Sequence, residues 1–139
     1  SIHYYRSWQL PPHFLPKQLM DATELLFPDD SFDNVTFFYT LMYMTTEEQQ
    51  KSIREAARVL RAGKWMHIWD CDICSAYPEP FVIDLDVKSG TLKIHTAYGI
   101  VKRDAQSSGS VVHLLESAGL RIESLQEKDG QFHIQCRKG

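Results

Sequence analysis

Apolar and polar positions follow two periods along this chain, and the switches between them mark its elements. Residues Phe32 to Phe38 are apolar or β-favouring at nearly every position, as expected of a strand covered on both faces of a parallel sheet. The turn formers Pro28, Asp29, Asp30 and Ser31 precede it. A period near 3.6 follows: Ile53, Ala56, Ala57 and Leu60 make one apolar stripe, which predicts a helix from about Thr46 to Leu60. Thr45 with Glu48, or Thr46 with Gln49, has the capping-box spacing at its start. Arg58 and Arg61 suit its negative end, and Gly63 is its expected stop. Lys64 to Trp69 is a second apolar run, completing a strand-helix-strand unit whose strands should lie parallel.

From Phe81 the period becomes two. Phe81, Ile83, Leu85 and Val87 share one face, Ser89-Gly90 is a turn, and Leu92, Ile94 and Tyr98 continue the dry face on the return, so a hairpin is expected. Helical spacing resumes over about Ser110 to Ala118 through Val111, Leu114, Leu115 and Ala118, with Gly119 as a left-handed stop. Leu120 to Leu125 and Gln131 to Cys136 then pair across Asp129-Gly130, a strong hairpin signal. Pro11, Pro12 and Pro16 make the opening irregular. The expected organisation is a lead-in over residues 1–20 and one α/β domain over 21–139, with an inserted hairpin at about 81–101.

The 139 residues suffice for one domain but are few for a complete cofactor-using α/β enzyme. The chain opens on Ser1 rather than Met, as expected of a piece of a longer protein. A net charge of -3 without any Lys/Arg block argues against nucleic acid. No long apolar run suggests a membrane span or leader. Three cysteines, an odd number, fit a reducing cytoplasmic setting rather than a disulfide framework.

Three segments carry a resemblance. Asp21-Ala22-Thr23-Glu24, then Phe27-Pro28-Asp29-Asp30-Ser31-Phe32-Asp33, then Glu55-Ala56-Ala57-Arg58-Val59-Leu60-Arg61-Ala62-Gly63 resemble, in order and spacing, the middle of a small-molecule, type 11-like class I S-adenosylmethionine-dependent methyltransferase. Val111 to Lys138, with Ala118-Gly119-Leu120 at the joint, is similar to that family's closing helix and antiparallel strands. The resemblance implies a truncated Rossmann-like sheet, parallel strands plus a terminal antiparallel hairpin, corresponding to the family's carboxyl-terminal portion. It also implies S-adenosylmethionine as cofactor. Asp21 matches the carboxylate that accepts from the adenine amino group, and Ala22 the residue whose backbone N–H meets the adenine ring. Phe38 and Tyr39 match positions lining the methionine side, and Tyr43 stands where many relatives carry His. The family's glycine-rich turn should lie upstream of Asp21, but no Gly occurs before Gly63. The acidic ribose partner of the second strand is missing as well, and Ala62-Gly63-Lys64 replaces the usual Pro-Gly-Gly.

Other candidate chemistry is thinner. Phe37, Phe38, Tyr39, Met42, Tyr43 and Met44 form a dense cluster, read as core or interface with a ligand wall as the alternative. Cys71-Asp72-Ile73-Cys74 is a lone CxxC that His67, His95 and Cys136 would have to complete as a zinc set; a redox role is the other option. Without a second CxxC or a close His pair, ordinary cysteines and no metal are the expectation. Asp33 reads as a structural polar group at the start of its strand, and His113 and His133 have no nucleophile nearby in sequence. Methyl transfer needs mainly positioning, since the sulfonium already carries an activated leaving group, so no catalytic residue is assigned. The expected function is methyl transfer to a small molecule; the alternative is a non-catalytic interaction or ligand-binding module. A homodimer or a separate amino-terminal half is the expected partner, because truncation leaves Phe32 to Phe38 at a sheet edge.

Overall fold

The computed structural model of the protein describes residues 18–74, 80–102 and 104–139; most of the lead-in expected over 1–20 lies outside these. Among the described residues six strands and two helices follow in order: β1 (Phe32–Phe38), α1 (Thr46–Val59), β2 (Leu60–Cys71), β3 (Phe81–Ser89), β4 (Leu92–Ile100), α2 (Ser108–Ser117), β5 (Leu120–Lys128) and β6 (Gln131–Lys138). A 3-10 turn, Leu41–Tyr43, lies between β1 and α1. The main sheet has the order β1-β2-β6-β5, with β1 parallel to β2 and the other two pairings antiparallel. β3 and β4 form a separate two-stranded sheet. Among the described residues β1 is an edge strand.

Helix α1 starts on a full capping box in which Thr45 Oγ1 accepts from Glu48 N and Glu48 returns an oxygen to Thr45 N. Its end departs from the expected stop at Gly63. Val59 runs directly into extended Leu60, because Asp30 N and Ser31 N take the carbonyls of Arg58 and Val59, and Lys138 Nζ donates to Leu60 O at 2.7 Å. These donors from outside the helix do what a C-cap glycine otherwise does. Gly63, at φ +76°, instead sits in the stretch of β2 that slips register between the Phe32–Leu60 and Asn34–Trp65 pairs. Helix α2 begins earlier than its apolar stripe suggests, since Ser107 and Ser110 form a reciprocal cap and Gly109 is tolerated in the first turn. The β5–β6 turn takes positive φ at both Asp129 and Gly130, which matches the twist of a tight hairpin.

Both helices pack on one face of the main sheet. Phe37, Met66, Ile68, Phe132 and Ile134 meet Ile53, Ala56, Val111 and Leu115 in a buried core. Strand β1 is not covered on both faces as its composition suggests: Phe37 is buried while Phe38 is 44% exposed. The other face of the sheet carries a ladder of rings. Trp69 stacks on His133 at 4.1 Å between centroids, His67 lies 5.6 Å from Trp69, and the Arg137 guanidinium sits 4.8 Å over Trp65.

This ladder leaves His67 Nδ1 and His133 Nε2 buried without a hydrogen-bond partner among the described residues. Burial, then the neighbouring His67, holds the His133 pKa below its ordinary 6.5. The unfolded chain therefore takes up a proton before the fold does. His133 thus contributes stability that is present above about pH 6.5 and lost as pH falls through the depressed value. Exposed His95, raised by its hydrogen bond to Asp86, works in the opposite direction. Urea midpoints at about pH 7.5 and about pH 5.5 should fall on acidification, and His133→Leu should flatten the fall. An unaltered pH slope in the variant would refute the assignment.

Candidate cofactor-side cavity and its support

The chain leaves β1 by a sharp reversal at Tyr39, whose φ of +49° is unusual for a bulky residue. Two ties over-determine it: Tyr39 N donates to Trp69 O at 2.8 Å, and Tyr39 Oη donates to Gln131 Oε1 at 2.7 Å. Burial pushes the phenol up to about 12, so it stays a donor at any working pH. The following 3-10 turn is pinned from beneath. Asp70, fully buried, accepts from Met42 N at 3.3 Å, Cys71 N at 2.9 Å and Gln106 Nε2 at 2.8 Å. Gln49 Nε2 donates both to Leu41 O and to Gln106 Oε1, each at 2.8 Å, and Lys102 Nζ reaches the same Gln106 oxygen at 3.1 Å. Four sequence-distant segments thereby meet under residues 39–44.

A second support holds the acidic loop. Arg58 donates to Phe27 O, Asp29 Oδ1, Leu25 O and both oxygens of Glu55, all within 2.8–3.0 Å. Glu55 Oε2 also accepts from Leu25 N at 2.9 Å. The Glu55-Ala56-Ala57-Arg58 run therefore clamps residues 25–29 to α1, and that clamp fixes where Asp21 emerges. Asp21 Oδ1 accepts from Thr23 N and Thr23 Oγ1 at 2.8 and 2.7 Å, which lowers its pKa.

Between the two supports lies a cavity of about 680 Å3, lined among others by Asp21, Ala22, Thr23, Tyr39, Thr40, Tyr43 and Met44. Four of the five residues singled out as cofactor-side positions, Asp21, Ala22, Tyr39 and Tyr43, thus converge. Phe38 does not line it; its ring turns to the opposite face, 6.0 Å from Trp69. Within the aromatic and Met cluster, Phe37, Tyr39, Met42 and Met44 are buried while Phe38 and Tyr43 are exposed.

The remaining candidates separate. Cys71 and Cys136 are buried, Cys74 is exposed, and no grouping of three or more His, Cys, Asp or Glu suited to a metal occurs among the described residues. Burial and the nearby Asp70 push the Cys71 thiol up to about 12, which removes the thiolate that redox chemistry needs. Asp33 pairs with Arg61 at 2.8 Å on the surface. The Asp70–Gln106–Lys102–Gln49 network and the Arg58 clamp escape a reading of motifs. Their two visible signals are an Asp inside the apolar run ending β2 and an Arg three residues after a Glu.

No helix of the described residues is long and apolar enough to cross a membrane. Residues 6–68 match the family model described as a methyltransferase domain. No curated protein matches the chain. Among solved structures it is similar to a SAM-dependent methyltransferase from Methanosarcina mazei, with 17% identity, a TM-score of 0.63, and coverage of 87% of this chain and 66% of that one. A S-adenosylmethionine-dependent methyltransferase from Clostridium acetobutylicum gives 14% identity, a TM-score of 0.60, and coverage of 88% and 64%. The [4+2]-cyclase SpnF gives 15%, 0.56, 87% and 54% in the same order. The chain thus spans between about half and two thirds of the length of these three structures. Residues 6–68 match the methyltransferase-domain family model, and the described residues share the Rossmann-like α/β fold of the S-adenosylmethionine-dependent methyltransferases they resemble.

Proposed function

We propose that this chain supplies the adenine and methionine side of an S-adenosylmethionine site and serves methyl transfer to a small molecule. The observation that carries the reading is the convergence of Asp21, Ala22, Tyr39 and Tyr43 on one cavity beyond the carboxyl end of β1, where open α/β sheets bind ligands. The residues present fit the cofactor on this side. Both Thr23 bonds fall on Asp21 Oδ1, so Oδ2 is left to accept from the adenine amino group. Ala22 offers the adjacent backbone N–H, and Tyr39, Tyr43 and Met44 make a soft wall for the methionine side. Once bound, the cofactor brings the activated methyl group; the chain orients it and keeps water away.

A glycine-rich turn would have to come from elsewhere, since no Gly precedes Gly63. The open edge of β1 suits either a separate amino-terminal half or a second copy of this chain, in a cytoplasmic setting. The second reading, a non-catalytic ligand-binding or interaction module, draws on the lack of any Gly before Gly63 and on the rule that one fold hosts many functions. Calorimetric titration with S-adenosylhomocysteine tests the first. Saturable binding at about 10 micromolar or tighter is expected, weakened roughly tenfold by Asp21→Ala. Silence up to about 1 millimolar overturns the cofactor placement, and light scattering that shows a stable monomer overturns the second copy as partner.

A further inference from the structure

We propose that two copies of this chain associate through the β3–β4 hairpin, with β4 pairing antiparallel to β4 of the second copy about a two-fold axis at His95. The hairpin is a two-stranded sheet of its own, so both its edges lack a strand neighbour among the described residues. The β3 edge borders a cavity whose other wall is the β5–β6 hairpin, and no residue of β4 lines it. Ser89 and Leu92 flank a two-residue turn, and such a flanking pair exchanges both of its backbone hydrogen bonds. Bonded pairs alternate along an antiparallel ladder, so Lys93, His95 and Ala97 direct their N–H and C=O groups outward. Leu92, Lys93, Ile94, His95 and Ala97 are all exposed, which makes this edge a template for another strand.

Two features of the hairpin fit a second copy and not a single one. Its apolar face is buried at the root, through Ile83, Leu85 and Ile100, yet runs on to the tip, where Leu92 is 57% and Ile94 47% exposed. On the opposite face Lys88 stands directly across from Lys93, a like-charge pair that weakens a ladder. Neither ammonium has an ion pair or hydrogen bond among the described residues. The acids of that face, Asp84 and Asp86, lie toward the root, against His95. Charge therefore runs from negative at the root to positive at the tip, and a two-fold axis lays that order against its own reverse. With His95 across from His95 of the second copy, Lys93 falls across from Ala97 of that copy, whose ladder neighbour is Asp84. About 10 Å, two strand spacings, then separate Lys93 from Asp84 of the second copy with only a methyl group between, a gap their two side chains can close. The same register sets Leu92 against Tyr98 and Ile94 against Thr96, so the root of each copy covers the apolar tip of the other. Each His95 keeps its own Asp86 at 2.9 Å. A slip of one step toward the tips sets Lys93 against His95 instead, away from any acid.

Sedimentation equilibrium tests this, with a dimer dissociating on the order of 10 micromolar expected for so small an interface. Ala97→Pro removes an outward N–H without touching the β3–β4 ladder, and should weaken the dimer at least about tenfold. Lys93→Glu relieves the opposition to Lys88 within the hairpin, yet should weaken the dimer by about the same factor, because a carboxylate then meets Asp84 of the second copy. Adding Asp84→Lys to Lys93→Glu should restore association to within about threefold of wild type. That charge exchange decides the matter even where Ala97→Pro does not fold. A chain still monomeric at about 100 micromolar, a folded Ala97→Pro protein that dimerises like wild type, or a double variant no better than Lys93→Glu overturns the proposal. The second of these results moves the second copy to another surface, such as the β1 edge. S-adenosylhomocysteine titration reports on the cofactor placement separately, since no residue of the hairpin lines that cavity.

Discussion

Replacing Asp70 by Ala should cost about 3–5 kcal/mol of unfolding free energy, among the largest losses for any single polar side chain in this fold. Two buried backbone donors, Met42 N and Cys71 N, lose their acceptor together with Gln106 Nε2. Each orphaned donor costs on the order of 1–3 kcal/mol, and the charge of Lys102 loses its nearest compensation. Burial raises the Asp70 pKa against the pull of those same bonds and of Lys102. The fold therefore holds the Asp70 proton more readily than the unfolded chain does. The contribution linked to that proton is full below the ordinary value of 3.8 and is lost as pH rises through the raised one. Asp70→Asn keeps one acceptor and removes the charge, so it should lose less than Asp70→Ala. Urea unfolding at neutral pH is the measurement; an Asp70→Ala protein within about 1 kcal/mol of wild type would show that the turn at 41–43 does not depend on this network.

Arg58→Ala should abolish the order of the acidic loop while leaving α1 intact. All five hydrogen bonds of the guanidinium go to residues 25–29 or to Glu55, and the Ala replacement itself favours helix. Hydrogen exchange should report it directly: the Leu25 amide, held by Glu55 Oε2, should exchange near the rate of an open loop, while amides of α1 stay protected. Affinity for S-adenosylhomocysteine should fall by at least about tenfold, because Asp21 follows the loop. Arg58→Lys should rescue little of this, since a point charge cannot reproduce a planar fork with five donors. Retained protection at Leu25 in Arg58→Ala would contradict the clamp.

Much of the architecture could be read from periodicity because the elements concerned are locally consistent. The Thr45–Glu48 cap, the stripe through Ile53, Ala56 and Leu60, and the Asp129-Gly130 turn each state their own geometry. The end of α1 could not be read so, because the donors that terminate it, Asp30, Ser31 and Lys138, come from far along the chain. Phe38 illustrates a different limit. An apolar run does not say which face of a strand lies uncovered, and this ring projects away from the cavity that its neighbour Tyr39 lines. The support beneath residues 39–44 was hidden for the same reason as the helix end. Gln49, Asp70, Lys102 and Gln106 have no common spacing, and only the crossover from β2 through the β3–β4 hairpin to α2 brings them together.

The wall formed by Tyr43 and Met44 has a thermodynamic consequence. Both side chains line the cavity beside Asp21 and also a second cavity of about 420 Å3 that Met42, Ile100 and Lys102 line. If filling either space changes where the half-exposed Tyr43 ring rests, the affinity of each occupant is altered by the other by one and the same factor. Order of binding then follows from concentration rather than from any built-in sequence, and a substitution at Tyr43 changes the coupling between the two spaces as well as the affinity of each.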